Sequence, residues 1–265
     1  MRSVAPGVRS FALGVGVLHQ PDVAVPKRAG LLTAVDIVIA PEAAFARLRL
    51  VSTWGWAFLI AMVLGIIGAF LLSPAVTHAM TVSGPETLAK SPQIMNLPPE
   101  RQQAAIEQGT AIQLIIAKFL WVGIPIILLL ASLCQALIML IANAIMRGQG
   151  SFGKFFALSM NVAVVGTGIA GLLAGIIATV RGAASFQDMT AISATLPSLA
   201  LLAPGSHGFM HGFLATLNVG YIWATVLLAL GMAAVARVSR AGAWTTAVLM
   251  LVLFALYSGF NARAL

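Results

Sequence analysis

A chain of 265 residues that is 60% hydrophobic and 8% charged, with a mean hydropathy of +1.00, cannot cover itself with a water-facing surface, for which soluble domains use about 25% charged residues. The solvent for most of the chain is therefore lipid, and the length leaves room for five or six spans with short loops but no large extramembrane domain. The net charge of +8 does not imply a nucleic-acid partner, because the basic residues stand in ones and twos beside apolar runs, as loop charges that orient a membrane protein do.

Residues 1–30 are expected to form a loosely ordered tail. Arg2 and Arg9 precede the apolar stretch Phe11 to Leu18. Its glycines weaken it, and His19-Gln20-Pro21-Asp22 offers no small-residue cleavage pattern. Residues 31–53 read as an interfacial segment. Leu31 to Ala40 is too short to span, and Pro41, Glu42 and the later Arg47 and Arg49 predict a short helix with the charge order such helices favour.

Residues 54–260 are expected to form the membrane domain, an all-α bundle of five spans. The first span, 54–76, opens on the interfacial rings Trp54 and Trp56 and is expected to close at Pro74. The loop His78 to Ala111 holds one short helix, opened by Pro98-Pro99 and stopped at Gly109. The second span, 112–146, would be about 50 Å long, so Gln113 and Lys118 must reach the headgroups or the helix tilts, and Pro125 is expected to kink it. The third, fourth and fifth spans are 155–180, 213–236 and 243–260. Ala191 to Ala203, broken by Pro197, reads as a re-entrant or surface-lying segment.

With five spans, ten of the fifteen basic residues fall on one side: Arg2, Arg9, Lys27, Arg28, Arg47, Arg49, Arg147, Lys154, Arg237 and Arg240. Lys90, Arg101, Lys118, Arg181 and Arg263 fall on the other. The positive-inside rule then places the N-terminus in the cytoplasm and the C-terminus outside.

Four features give the chain a resemblance to the Yip family of five-span membrane proteins, named for interaction with Ypt/Rab GTPases, in its prokaryotic branch. They are Ile39-Ala40-Pro41 with Phe45 and Leu48 ahead of Trp54; the turn Gly148-Gln149-Gly150-Ser151-Phe152-Gly153-Lys154-Phe155-Phe156; Leu196-Pro197-Ser198-Leu199; and Leu217-Asn218-Val219-Gly220-Tyr221-Ile222-Trp223 with Leu230-Gly231-Met232 and Ala241. The resemblance covers roughly residues 35 to 260. It implies a five-span fold in the cell membrane and no catalytic residues. Similar proteins often carry an acid where Asn218 stands, so a carboxylate role is not carried over.

His207 and His211 have the spacing of two ligands on one helical face, but the glycines around them disfavour a helix and no third ligand is near. No metal site or cofactor is expected. The lone Cys134 excludes an intrachain disulfide. Gln135, Asn143, Ser159, Asn161, Thr167, Thr216 and Asn218 are intramembrane polar residues, expected to make interhelical hydrogen bonds between amides. No acid or base stands near a span centre, which disfavours coupled transport. No hydrolase, metalloprotease or P-loop motif is present. Gly168, Gly171 and Gly175, with Gly65 and Gly68 on the first span, mark faces where backbones can meet closely, within the chain or across an oligomer.

These residues predict a non-catalytic scaffold or assembly factor. It would contact lipids and another membrane protein or complex, or a second copy of itself, through Gly148, Gly150, Phe152, Gly168, Gly171, Gly175, Asn218 and Trp223. The alternative is a small-solute or lipid channel or carrier.

Overall fold

The structure, a computed structural model, describes residues 29–262. The tail, apart from Ala29 and Gly30, lies outside the described residues, as do Arg2, Arg9, Lys27, Arg28 and Arg263 of the charge assignment. Among the described residues five helices are long and apolar enough to cross a membrane, Gly55–Ala89, Trp121–Ile145, Phe152–Arg181, Val219–Ala236 and Arg240–Ala262. The chain is an all-α bundle.

The interfacial segment is two helices, α1 (Ala29–Ile39) and α2 (Pro41–Leu50). Pro41 opens α2, Glu42 lies in its first turn, and Arg47 and Arg49 lie in its last. Arg47 pairs with Asp36, and its Nε donates to Thr33 Oγ1 at 3.2 Å, tying α2 to α1.

α3 (Gly55–Ala89) does not stop at Pro74 but runs through it and through Pro85. Each proline removes one backbone donor, but tertiary contact carries the helix on. Its last turns pair with α5 (Pro99–Lys118), which is reached through α4 (Pro92–Met95). Gly109 does not end α5, because Leu88 of α3 fits into the space that a side chain at 109 would fill. The expected loop with one short helix is thus a helical hairpin. At 1.5 Å per residue α3 is about 52 Å long against a hydrocarbon core of about 30 Å, so its last turns rise beyond the bilayer.

The second apolar run is likewise two helices. It breaks at Phe119 (φ −104°, ψ 10°), where α5 ends and α6 (Leu120–Ile145) begins; Pro125 lies inside α6. The third span is continuous but not uniform: α7 (Phe152–Ala163) passes through a π-helical segment, Val164–Ile169, into α8 (Ala170–Arg181). Between it and the fourth span lie α9 (Met189–Ser193) and a 3-10 turn, Leu199–Leu202. The fourth run is broken too, into α10 (Gly208–Thr216) and α11 (Val219–Ala236), before α12 (Arg240–Ala262). α10 and α11 pack along successive stretches of α12.

The centre of the bundle is mainly apolar, built on Leu128, Met139, Phe155, Leu158, Met160 and Leu227, each no more than 2% exposed. The closest approach is between α3 and α8. A methyl group built on Gly68 would run into the Gly171 carbonyl group and stand 2.7 Å from Leu172 N. One on Gly175 would run into the Gly68 carbonyl oxygen and stand 2.9 Å from Leu71 Cβ. One on Gly168 would stand 3.1 Å from Ala61 Cα. The glycine faces of the first and third spans thus meet each other within the chain.

The tightest positions are Gly68 and Gly175, whereas a methyl on Gly171 would find only Gly65 Cα, at 3.9 Å. Overpacking costs about 1–3 kcal/mol, while Gly to Ala in a helix that has room gains roughly 0.5–1 kcal/mol. Gly68→Ala and Gly175→Ala are therefore expected to lower the melting temperature in detergent, and Gly171→Ala to leave it unchanged or raise it. Equal melts for all three would contradict the backbone contact.

Candidate functional site

The turn between α6 and α7 is the most elaborately built polar feature of the bundle. α6 ends with Arg147 in the left-handed region (φ 54°). Gly148 N donates to Asn143 O at 2.9 Å, and Arg147 N to Ala144 O at 3.3 Å, which satisfies two of the last carbonyls of the helix. Glycine is the usual residue at such a left-handed cap; here arginine takes it, and glycine follows one residue later. Gly148 is needed for closeness, since a side chain there would strike Asn143 Oδ1 and Val238.

Asn143 then reads both backbone groups of Gly150: its Oδ1 accepts from Gly150 N at 3.1 Å, and its Nδ2 donates to Gly150 O at 3.3 Å. Gly150 rests on the buried Phe155 ring and 3.0 Å, by a built methyl, from Ala236 Cβ. Gln149 N donates to Ala236 O at 2.8 Å, and Arg237 Nη1 donates to Gln149 Oε1 at 3.2 Å. The α6–α7 turn is therefore docked onto the α11–α12 turn, whose Arg237 is also left-handed (φ 55°). Phe152, beside this platform, is 39% exposed and stacks on Phe156 at 6.0 Å; Trp54 meets Phe156 edge-on at 5.4 Å. The platform thus collects Arg147, Gln149, Arg237 and an aromatic group on one end of the bundle.

The other expected site residues lie elsewhere. Gly168, Gly171 and Gly175 face α3. Trp223 is 47% exposed on α11. Asn218 is not a mid-span residue: it caps α11 at the break, accepting from Gly220 N at 3.0 Å and Tyr221 N at 3.1 Å, and donating to Ala215 O at 3.3 Å. An aspartate would keep the two accepting bonds of this cap and lose the donation to Ala215 O. Ser198 pairs with Asn218 as an isolated bridge, which fixes the segment after Pro197 against the break. The expected amide-to-amide bonds between helices are not what forms. Asn143, Asn161 and Asn218 all bind backbone groups instead, because helix ends inside the bundle leave backbone groups that must be paired. Asn161 Nδ2, for example, donates to Thr53 O at 2.9 Å, just before α3 begins.

His211 Nε2 lies 2.9 Å from Ser193 Oγ. Among the described residues no group of three His, Cys, Asp or Glu side chains is placed to hold a metal ion. Asn143 and Asn161 were visible in the sequence as polar residues in spans, but their partners, Gly150 and Thr53, were not.

Two substitutions test the turn. A non-glycine residue in the left-handed region costs roughly 1–2 kcal/mol, so Arg147→Gly is expected to raise the detergent melting temperature. Asn143→Ala strands both backbone groups of Gly150, at about 1–3 kcal/mol, and is expected to lower it and to speed amide exchange at Gly150. Unchanged exchange at Gly150 in Asn143→Ala would show that the amide does not hold the turn.

Residues 35–260 match the family described as "Yip1 domain". The membrane protein YknW of Bacillus subtilis (strain 168) is 26% identical over 228 residues, covering 84% of this chain and 88% of the relative. No solved structure matches. The family match starts within α1 and runs nearly to the end of α12, over all five apolar helices; this multi-pass membrane protein belongs to the Yip1 domain family.

Proposed function

We propose that the protein is a non-catalytic scaffold or assembly factor that works through protein–protein contacts in the membrane. The docked turns bearing Gln149, Phe152 and Arg237 are its contact platform, and they face the cytoplasm. The observation that carries this reading is the contrast between interior and platform. The interior is packed mainly with apolar side chains, whereas the platform is polar, aromatic and exposed. The placement of Arg147, Lys154, Arg237 and Arg240 at these turns supports the orientation through the positive-inside rule.

A channel or carrier is the second reading, and one observation favours it. On α7, Ser159 Oγ and Asn161 Oδ1 are buried without a hydrogen-bond partner, and unpaired buried polar atoms are where water or a polar solute finds a site.

A photoreactive residue in place of Phe152 or Trp223, in native membranes, is expected to give a discrete protein adduct. The same residue in place of Phe70, which is 71% exposed on α3 and outside the proposed surface, is expected to give lipid adducts alone. Lipid adducts at all three positions, together with a solute flux in proteoliposomes that Asn161→Leu abolishes, would overturn the scaffold in favour of the carrier.

A further inference from the structure

We propose that the two docked turns hold the headgroup of one anionic phospholipid through Arg147, Arg237 and Arg240, with an acyl chain lying along α12 below them. Charge is the first observation. At the opposite end of the bundle the bases Lys90, Arg101, Lys118 and Arg181 are matched in number by Glu86, Glu100, Glu107 and Asp188. At this end Asp36 and Glu42 are set against Arg47, Arg49, Arg147, Lys154, Arg237 and Arg240, and Arg47 takes Asp36. The chain has no acid between Glu107 and Asp188 and none after Asp188, so neither turn carries a carboxylate of its own. Among the described residues Arg147, Arg237 and Arg240 pair with none, and all three are exposed.

Backbone strain is the second observation. Among the described residues Arg147 and Arg237 are the non-glycine residues with positive φ, at 54° and 55°. Left-handed backbone disfavours any residue with a Cβ, and glycine would relieve it. Residues held there against local preference cluster at binding sites. The positive-inside rule accounts for bases at this end, but an unstrained neighbour would serve it equally well. It does not account for arginine at both strained positions.

The turns bring these residues together. A side chain on Gly148 would strike Val238, and one on Gly242 would strike Met146 Sδ, so residues 146–149 lie against residues 236–242. Arg147 stands between those two contacts on one segment, and Arg240 on the other. The bond from Arg237 Nη1 to Gln149 occupies one of its several N–H donors. Guanidinium groups suit a phosphate, whose oxygens accept from paired N–H groups. With no carboxylate near to meet a choline or ethanolamine cation, the site favours a headgroup of net negative charge over a zwitterionic one. Trp244 stands one turn into α12 from Arg240 and is 40% exposed, as a ring at the membrane boundary is. From it a shallow groove, lined also by Val248, Leu249 and Val252, runs about 12 Å down the helix. Any lipid-facing helix is apolar, so the arginines above the groove, and not the groove, select the headgroup. Lipid alone can fill the site, so it stands or falls apart from the scaffold reading.

The test uses the full chain in phosphatidylcholine bilayers, with Trp244 kept and the other tryptophans replaced by phenylalanine. Brominated phosphatidylglycerol, as a minor component, is expected to quench Trp244 severalfold more than the same fraction of brominated phosphatidylcholine. Keeping Trp56 instead, at the same end of the bundle and 51% exposed, should give nearly equal quenching by the two lipids, which separates a built site from diffuse attraction to the basic end. Arg240→Gln is expected to weaken phosphatidylglycerol binding at Trp244 about fivefold, the contribution of one base near a membrane surface. Arg147→Gly should weaken it by a similar factor while raising the detergent melting temperature, because glycine relieves the left-handed backbone. A variant that is more stable yet binds worse separates recognition from folding. Equal quenching of Trp244 by both lipids, the same preference at Trp56, or a preference unchanged in Arg147→Gly and Arg240→Gln would each overturn the site. Mass spectrometry of the chain with all its tryptophans, released from bilayers of the two lipids, decides the matter even if the tryptophan replacements do not fold: it should retain phosphatidylglycerol, and the Arg147→Gly, Arg240→Gln double variant should not.

Discussion

Gly68 and Gly175 bring the backbones of α3 and α8 into direct contact, and most of the bundle is arranged around that contact. In lipid there is little hydrophobic gain in moving a leucine from acyl chains to a neighbouring helix, so association depends on close packing and on paired polar groups. Two helices that meet backbone to backbone gain the densest packing available. They also fix their relative height. α3 and the third span run parallel, with Ala61 against Gly168 and Gly68 between Gly171 and Gly175. Asn161 meets Thr53 O just before α3, so Gly55 is level with about residue 162 of the third span. α3 therefore begins deeper in the bilayer than α7, whose first residue is Phe152. The space left beneath it is where the extended residues 51–54 climb and where α1 and α2 are packed.

That offset creates a polar problem, and asparagines solve it. A helix that starts or stops within the bundle leaves backbone groups without intrahelical partners. Thr53 O, before α3, is met by Asn161; the first amides of α11, at the break after α10, are met by Asn218; and both groups of Gly150 are met by Asn143. Each asparagine carries a donor and an acceptor on a short stem, so one side chain can close a turn from both sides. None of the three carries a formal charge into the bilayer, where a charge is costly.

Much of the fold could be read from composition, because five long apolar runs have few other solutions. Pro41 was legible for a similar reason, since its physics is local. The misreadings share a cause. Pro74 and Gly109 are local stop signals that tertiary contact overrides, through the pairing of α3 with α5. Phe119 and Leu217 are breaks within runs whose hydropathy is continuous, so no composition signal marks them. The glycine face of the third span was legible as a packing surface, but its partner was not. The choice between α3 and another chain depends on the offset between helices, which no spacing in a single span records. The same holds for the turn at Gly148, whose glycines were visible but whose anchoring by Asn143 and Ala236 is long-range.

The π-helical segment shows how one span serves two sets of neighbours. α7 packs on α6 and α11, and α8 packs on α3. In a uniform α-helix the faces before and after the centre would be related by the fixed 3.6-residue period. Those two neighbour sets would then have to follow that period around the axis. A wider turn shifts the phase of everything after it. Within this segment Gly166 faces Ala224 of α11, at 3.0 Å from a built methyl, and two residues later Gly168 faces Ala61 of α3 at 3.1 Å. Glycines at both points let α11 and α3 come close on different sides of the same turn. α8 can then present Gly171 and Gly175 to α3, while α7 keeps Phe155 and Leu158 in the core. The wide turn thus sets the phase that the α3–α8 contact requires, and that contact in turn leaves room for the hairpin.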